Sequence, residues 1–343
     1  MSRVLVVATS RKTRGGITSV IKAHESGEQW KRFHCHWVQT HRDGGSFRKI
    51  LYLIGAILDF GLRLPFYDII HLHISQPTTI RRKSVFLNLA KLFRKKIIIH
   101  FHAFNVDGTV KGPYANKYIS FFSKADRIIV LSDWWKNELI NAGVSENLIN
   151  VLYNPCPEII PYSESRKNII LYAGTINQRK GYADLIRAFA NIHSLFPDWI
   201  LEIAGNGEIE QGKKLCKELG IVDNVRFLGW LDNKKKDSAF NRASIFCLPS
   251  YAEGFPMAVL DAWAYRLPVI TTPVGGIPDI ALDGINMLLF NPGDITLLTE
   301  QLAKLITDKD LRISISKQSM ILANTIFSQN TINKQLADIY ISV

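Results

Sequence analysis

Short apolar runs alternate with helix-period segments along this chain, and the alternation runs through twice, on either side of a proline-rich break. In the first series Arg3 to Thr9, Asp68 to His73, Lys96 to His102 and Arg127 to Ser132 are nearly continuous apolar stretches, as strands buried in a parallel sheet require. Ile17 to His24, Lys49 to Leu64, Arg82 to Phe93, Tyr114 to Ser123 and Trp134 to Ala142 carry helical spacing between them. Asn154 to Lys167 then holds three prolines in a polar run, which continues neither a helix nor a central strand and reads as a linker. The second series predicts strands at Asn168 to Ala173, Trp199 to Ala204, Val225 to Leu228, Ser244 to Leu248 and Pro268 to Thr271. Its helices are predicted at Tyr182 to Leu195, Lys213 to Leu219, Lys234 to Asn241 and Pro256 to Tyr265, and Asp294 to Val343 reads as two or three helices with no strand. Strand and helix in alternation mean α/β domains with parallel sheets, and 343 residues suffice for two of them.

Charge separates the halves. Residues 1–160 hold 23 Lys+Arg against 11 Asp+Glu, whereas residues 161–343 hold 19 of each, so the whole net charge of +12 belongs to the first half. An anionic partner for that half follows: nucleic acid, acidic lipid or a phosphorylated substrate. Cys35, Cys156, Cys216 and Cys247 are scattered without a CxxC pair, which suits a reducing compartment. The opening strand is too short for a secretory leader, and the apolar stretch Ile50 to Phe66 is interrupted by Asp59 and Arg63. These features point to a cytosolic protein.

The densest chemical signal runs from Pro249 to Asp279, PSYAEGFPMAVLDAWAYRLPVITTPVGGIPD. Glu253 leaves a strand, Gly254 permits a tight turn, and Pro256 falls at the start of a helix that carries Asp261. The two acids can hold different hydroxyls of an elongated polar ligand. They equally fit a helix-end charge and a solvated surface residue. Arg179 and Lys180, with Gly181, stand before a helix, where a cation pair suits a diphosphate, although solvated cations are the commoner fate of such a pair. The turn Arg11 to Gly16 (RKTRGG) lacks the Walker spacing, but Gly15 and Gly16 can turn backbone N–H groups toward a phosphate. His71, His73, His100 and His102 form two His-x-His pairs with no acidic partner nearby in sequence, and Asp308 and Asp310 read as a helix start rather than a metal clamp.

Together these motifs resemble the Glu-x7-Glu block and flanking signatures of family-4 glycosyltransferases, which have the GT-B fold. Gly15–Gly16, His102, YAGTINQRKG at 172–181, GNGE at 205–208, NVRFLG at 224–229, GGIPD at 275–279 and Phe327–Ser328 extend the resemblance over nearly the whole chain. It implies two Rossmann-like domains facing a central cleft: an acceptor-binding domain over 1–160, a nucleotide-sugar-binding domain over 161–325, and a last helix over 326–343 that packs back on the first. It implies catalytic roles for Glu253, Lys180 and His102, and a donor site of Gly15, Gly16, Arg179, Lys180, Gly205, Glu253, Gly254, Phe255, Pro256 and Asp261, with no metal ion and no resident cofactor. Asp261 stands where the family has the second Glu. Thr175 stands at the Arg of the family's Gly-Arg-x4-Lys-Gly pattern, so Arg179 is expected to supply that charge.

The expected reaction is retaining transfer of a hexose from a nucleotide-sugar, by family frequency a UDP-sugar, to a hydroxyl of a glycan acceptor. The basic first half, with Arg81 to Lys83, Arg94 to Lys96, Phe86, Phe93 and the Leu51–Leu64 segment, predicts an anionic membrane surface and a lipid-linked acceptor in cell-surface polysaccharide or lipopolysaccharide assembly, at the inner face of the cytoplasmic membrane. No RNA- or DNA-binding pattern supports nucleic acid. A nucleotide-sugar epimerase of GT-B architecture and a non-catalytic glycan- or lipid-binding protein are the alternatives.

Overall fold

A computed structural model describes residues 2–161 and 166–343 of the chain. It divides into two units, residues 1–155 with 329–343, and residues 156–328. Residues 162–165 of the expected linker lie outside the described residues.

The first unit runs β1 (Val4–Ala8), α1 (Gly16–Glu25), α2 (Glu28–Arg32), β2 (His36–Gln39), α3 (Ser46–Arg63), β3 (Ile69–Ile74), α4 (Pro77–Leu92), β4 (Lys96–Phe101), α5 (Ala115–Phe122), β5 (Arg127–Val130), α6 (Asp133–Asn141) and β6 (Ile149–Val151). Its six strands are all parallel, in the order β2-β1-β3-β4-β5-β6. Because side chains alternate across a strand, Leu5, Val7, Ile70, Leu72, Ile97 and Ile99 enter one core layer, with Phe60 of α3 and Phe86 of α4. Val4, Val6, Ile69 and Ile98 enter the other, with Ile21 of α1.

The second unit runs β7 (Ile169–Ala173), α7 (Tyr182–His193), β8 (Ile200–Ala204), α8 (Ile209–Glu218), β9 (Val225–Gly229), α9 (Asn233–Arg242), β10 (Ile245–Leu248), α10 (Met257–Ala264), β11 (Val269–Thr271), β12 (Leu288–Leu289), α11 (Ile295–Thr307) and α12 (Lys309–Asn324). Its strand order is β12-β11-β10-β7-β8-β9, again parallel. In both sheets the order reverses once, between β1 and β3 and between β7 and β10. In open α/β sheets, ligands bind outside the strand ends at such a point.

The last helix, α13 (Gln329–Ile341), belongs to the first unit. Ile332, Leu336, Ile339 and Tyr340 complete the core layer of Val6 and Ile98, so its apolar stripe is buried as helical spacing requires. Asp308 caps α12 by accepting from Leu311 N at 2.8 Å, which is the helix start read from the sequence.

One surface expectation is corrected and another narrowed. Lys83 and Phe86, expected on a basic, lipid-facing rim, are buried inside α4 because they share the inward stripe of Ile80, Leu87 and Ala90. In α3, Ala56 and Phe60 are buried, as is the following Leu64, whereas Phe47, Ile50, Leu51, Ile54, Leu58 and Leu62 are exposed along one face. Among the described residues no helix is long and apolar enough to cross a membrane.

Candidate active site

The reversal between β7 and β10 places two loops side by side, Gly174 to Gly181 and Pro249 to Pro256. Their backbones are stitched together: Tyr251 N donates to Arg179 O at 2.7 Å, and Arg179 Nη1 donates to Ala252 O at 2.5 Å. Gly181 lies at φ +67°, and a Cβ there would overlap the Pro249 carbonyl oxygen, so only glycine lets the loops approach this closely. Gly275, after β11, is likewise left-handed at φ +62° and abuts the Glu253 carbonyl, while Gly276 N donates to Gly254 O at 2.8 Å. Three loop ends are thereby fixed around one carboxylate.

That carboxylate is Glu253, which is 7 % exposed. Lys180 Nζ donates to its Oε1, Ser250 Oγ donates to the same oxygen at 2.6 Å, and Arg179 Nη1 stands 3.7 Å from Oε2. Asn177 Oδ1 caps the short turn before α7 by accepting from Lys180 N at 3.0 Å, which fixes the lysine's origin. Two cations thus share one acid. An anion arriving here meets a cationic group whose partner can be exchanged without separating bare charges in a buried site.

The other expected donor residues are placed nearby in the fold to differing degrees. Gly205 follows β8 and packs on the Gly174 carbonyl. Phe255 is buried against Phe327, their rings 5.2 Å apart, and Pro256 is the residue that caps α10. Asp261 on α10 is tied by its Oδ1 to Lys236 Nζ of α9 at 2.5 Å rather than to the Lys180–Glu253 cluster. Burial raises its pKa, against the lowering pull of Lys236.

In the first unit Gly15 is the residue before α1, at φ +135°, with open space where a Cβ would project. Glycine is needed there for conformation rather than for room. His102 follows β4, and its Nε2 lies 2.9 Å from His73 Nδ1. Sequence spacing gave each His pair one face of its strand. The register β3·β4 sets His73 opposite His100, so the two pairs join in one stack, buried at His71, His73 and His100 and half-buried at His102, with His24 of α1 at its margin. His71 Nδ1 meets Tyr340 Oη at 2.8 Å and His24 Nδ1 meets Asn333 Oδ1 at 2.8 Å, which anchors α13. Burial, reinforced by neighbouring imidazoles, holds His71, His73 and His100 well below the ordinary histidine pKa, and pushes His102 down to about 3. The nitrogens of His71, His73 and His100 all lie within 4.8 Å of one another. The His71 and His100 rings lie 5° from parallel with centroids 5.4 Å apart.

A family profile described as Glycosyltransferase Family 4 matches residues 6–157, and one described as Glycosyl transferases group 1 matches residues 160–320, one for each unit. The chain is a family-4 glycosyltransferase. An uncharacterized glycosyltransferase of Methanocaldococcus jannaschii is 29% identical over 284 residues, 79% of this chain and 75% of the relative. The lipopolysaccharide 1,6-galactosyltransferase of Escherichia coli K12 is 30% identical over 201 residues, 54% of this chain and 55% of the relative. Among solved structures, Anabaena HepE in complex with UDP-glucose superposes with a TM-score of 0.81 over 100% of both chains at 19% identity. The two six-stranded parallel sheets and this similarity establish the GT-B fold.

Within the glycosyltransferase, Ser250 and Lys236 are the polar contacts that sequence reading missed. Ser250 lies three residues before Glu253 in the same loop, close enough to have been suspected. Lys236 sits in a basic run of α9 whose partner, Asp261, belongs to another helix.

Proposed function

We propose that this glycosyltransferase moves a hexose from a UDP-sugar, with retention and without a metal ion, to a hydroxyl of a lipid-linked glycan acceptor in cell-surface polysaccharide assembly. The observation that carries the reading is the shared-acid cluster of Lys180, Arg179 and Glu253 at the switch point of the second sheet. Departure of a nucleoside diphosphate builds negative charge on its oxygens. Lys180 and Arg179 are fixed by the loop contacts; Lys180 can transfer its hydrogen bond from Glu253 to that leaving group, and Arg179, 3.7 Å from Glu253, adds its charge. Released from Lys180, Glu253 is an acceptor for the hydroxyls of the transferred sugar, and Asp261 takes the ribose. The Gly15–Gly16 amides offer further donors to the phosphates. His102, neutral at physiological pH, orients a hydroxyl at the sugar and acceptor end. The choice of uridine is supported by the Anabaena structure, which holds UDP-glucose, and the choice of pathway by the E. coli lipopolysaccharide enzyme.

The membrane part of the reading rests on α3. Its exposed face, Phe47, Ile50, Leu51, Ile54, Leu58 and Leu62, forms a stripe at helical spacing in the unit that carries all the net positive charge. Such a stripe, flanked by Arg42, Arg48 and Lys49, suits shallow insertion among anionic headgroups, each nearby cation contributing about 1 kcal/mol.

A thermal-shift panel of nucleoside diphosphates and sugar nucleotides tests the donor assignment. A ligand at 100 times its Kd adds about 2.7 kcal/mol to the state that binds it. UDP and one UDP-sugar should raise the melting temperature. A panel in which only purine nucleotides do so rejects uridine, and a flat panel rejects the donor site.

A further inference from the structure

The basic run in α4 is only partly a solvated rim: Arg81 is exposed, Arg82 half-buried and Lys83 buried. Lys83 is 2 % exposed, and its Nζ donates to Thr40 Oγ1 at 2.9 Å, with no carboxylate paired to it among the described residues. The Thr40 hydroxyl is itself committed, donating to Ala8 O at 2.8 Å. The buried Nε of Arg82 and the buried Nδ1 of His41 have no hydrogen-bond partner among the described residues. Burial lowers the pKa of Lys83 and Arg82, and His41 is lowered by burial first and then by Arg82, Lys49 and Lys83. The carboxylate facing this group is Asp43, 4.0 Å from His41, largely exposed and already accepting from Arg14 N at 3.2 Å. Buried cations without an acid are costly, and an incoming anion removes that cost.

The position is equally telling. Ala8 ends β1 and Thr40 directly follows β2, and β1 flanks the point where the strand order of the first sheet reverses. Ser10 N and Thr13 Oγ1 donate to His41 O at 2.7 and 3.1 Å, which ties this loop to the Gly-rich turn before α1. We propose that Lys83, Arg82 and His41 form a binding site for a phosphate or diphosphate group carried by the acceptor. The word acceptor rests on the transferase reading above; the anion site does not. The partly exposed Arg82 and His41 admit the group, the guanidinium matching its oxygens, and Lys83 supplies the buried charge behind them. The donor's diphosphate has its own cations in the other unit. Phe60 of α3 meets Phe86 of α4 edge-on at 5.1 Å, so the exposed apolar face of α3 belongs to the helix next to this site, where the chain of a lipid diphosphate can lie.

The test is calorimetric titration with farnesyl diphosphate, inorganic pyrophosphate and farnesol, in saturating UDP so that the second unit's site is occupied. Lys83→Met fills a similar volume without the buried charge and should fold; Arg82→Gln is the second variant. Each should weaken both diphosphates, Lys83→Met by roughly ten- to a hundredfold, and leave farnesol unchanged. Farnesyl diphosphate binding at least about tenfold tighter than pyrophosphate in the unsubstituted protein assigns the site to a lipid diphosphate, and equal binding to a soluble phosphorylated acceptor. Diphosphate binding that is absent, or unaltered in both variants, overturns the proposal. UDP titrated alone reports separately on the donor reading.

Discussion

Replacing Lys180 by Met separates two roles that its position allows. The side chains of Lys180 and Glu253 are 13 % and 8 % exposed, so removing the lysine strands a nearly buried carboxylate. Breaking such a pair costs about 3–5 kcal/mol. Here the Ser250 hydroxyl at 2.6 Å and Arg179 at 3.7 Å remain, which brings the expected cost to about 2–3 kcal/mol. For a unit of this size that is a fall of roughly 5–10 °C in Tm. The double variant Lys180→Met, Glu253→Gln removes both charges and should recover most of the loss. UDP affinity should behave differently. A lysine that contacts the diphosphate contributes a charge-assisted bond, so Lys180→Met should weaken UDP roughly ten- to a hundredfold. The double variant should not restore it, while Glu253→Gln alone should bind UDP almost normally, since the proposed role of that acid is at the sugar rather than the diphosphate. Stability from denaturation scans and affinity from calorimetry give both axes. If UDP affinity returns together with stability in the double variant, Lys180 serves only to neutralise Glu253 and the proposed donor contact is wrong.

The buried histidine stack gives a pH prediction. His24, pushed by burial down to about 4, and His102, at about 3, bind protons more weakly folded than unfolded. The unfolded chain therefore takes up more protons as pH falls below 6.5, and stability should drop between pH 6.5 and 4 by roughly a kcal/mol per pH unit for each such histidine. Urea unfolding midpoints that are equal at pH 7 and pH 5 contradict this. Deleting residues 329–343 uncovers the layer that Ile332, Leu336, Ile339 and Tyr340 close, each worth about 1.5–3 kcal/mol, and should leave an insoluble or molten first unit; a truncated protein with unchanged Tm refutes the packing argument. Wild-type protein should sediment with anionic but not zwitterionic vesicles at low salt. Serine at Phe47, Leu51, Ile54 and Leu58 together should abolish this with Tm nearly unchanged, because all four are exposed; sedimentation that survives the substitutions removes α3 from the membrane reading.

Much of the architecture was legible because long apolar runs and helical spacing are local signals. The strands that sequence reading missed, β2, β6 and β12, are two to four residues long, and β2 (HWVQ) carries polar ends. Proline at the first position sets the start of α4 at Pro77, five residues before the apolar pattern suggested. Lys83 shows a different failure. Its spacing from Ile80, Phe86, Leu87 and Ala90 marks an inward position, but its charge argued for solvent, and spacing decided the outcome. The site residues Glu253, Lys180 and Arg179 were legible as types and motifs. Their meeting was not, since Lys180 and Glu253 are 73 residues apart and are joined only by the strand-order reversal. The His stack likewise depends on which strands are neighbours, which alternation along one strand cannot say.

The stereochemistry of the product distinguishes retaining transfer from its alternatives. With the UDP-sugar selected by thermal shift and a phosphorylated lipid acceptor, proton NMR of the new glycosidic linkage reads its anomeric configuration. A retaining, Lys180-dependent transfer gives the same configuration as in the donor, without added metal. An inverted linkage contradicts retention, and an epimerised donor that appears without any acceptor contradicts sugar transfer itself.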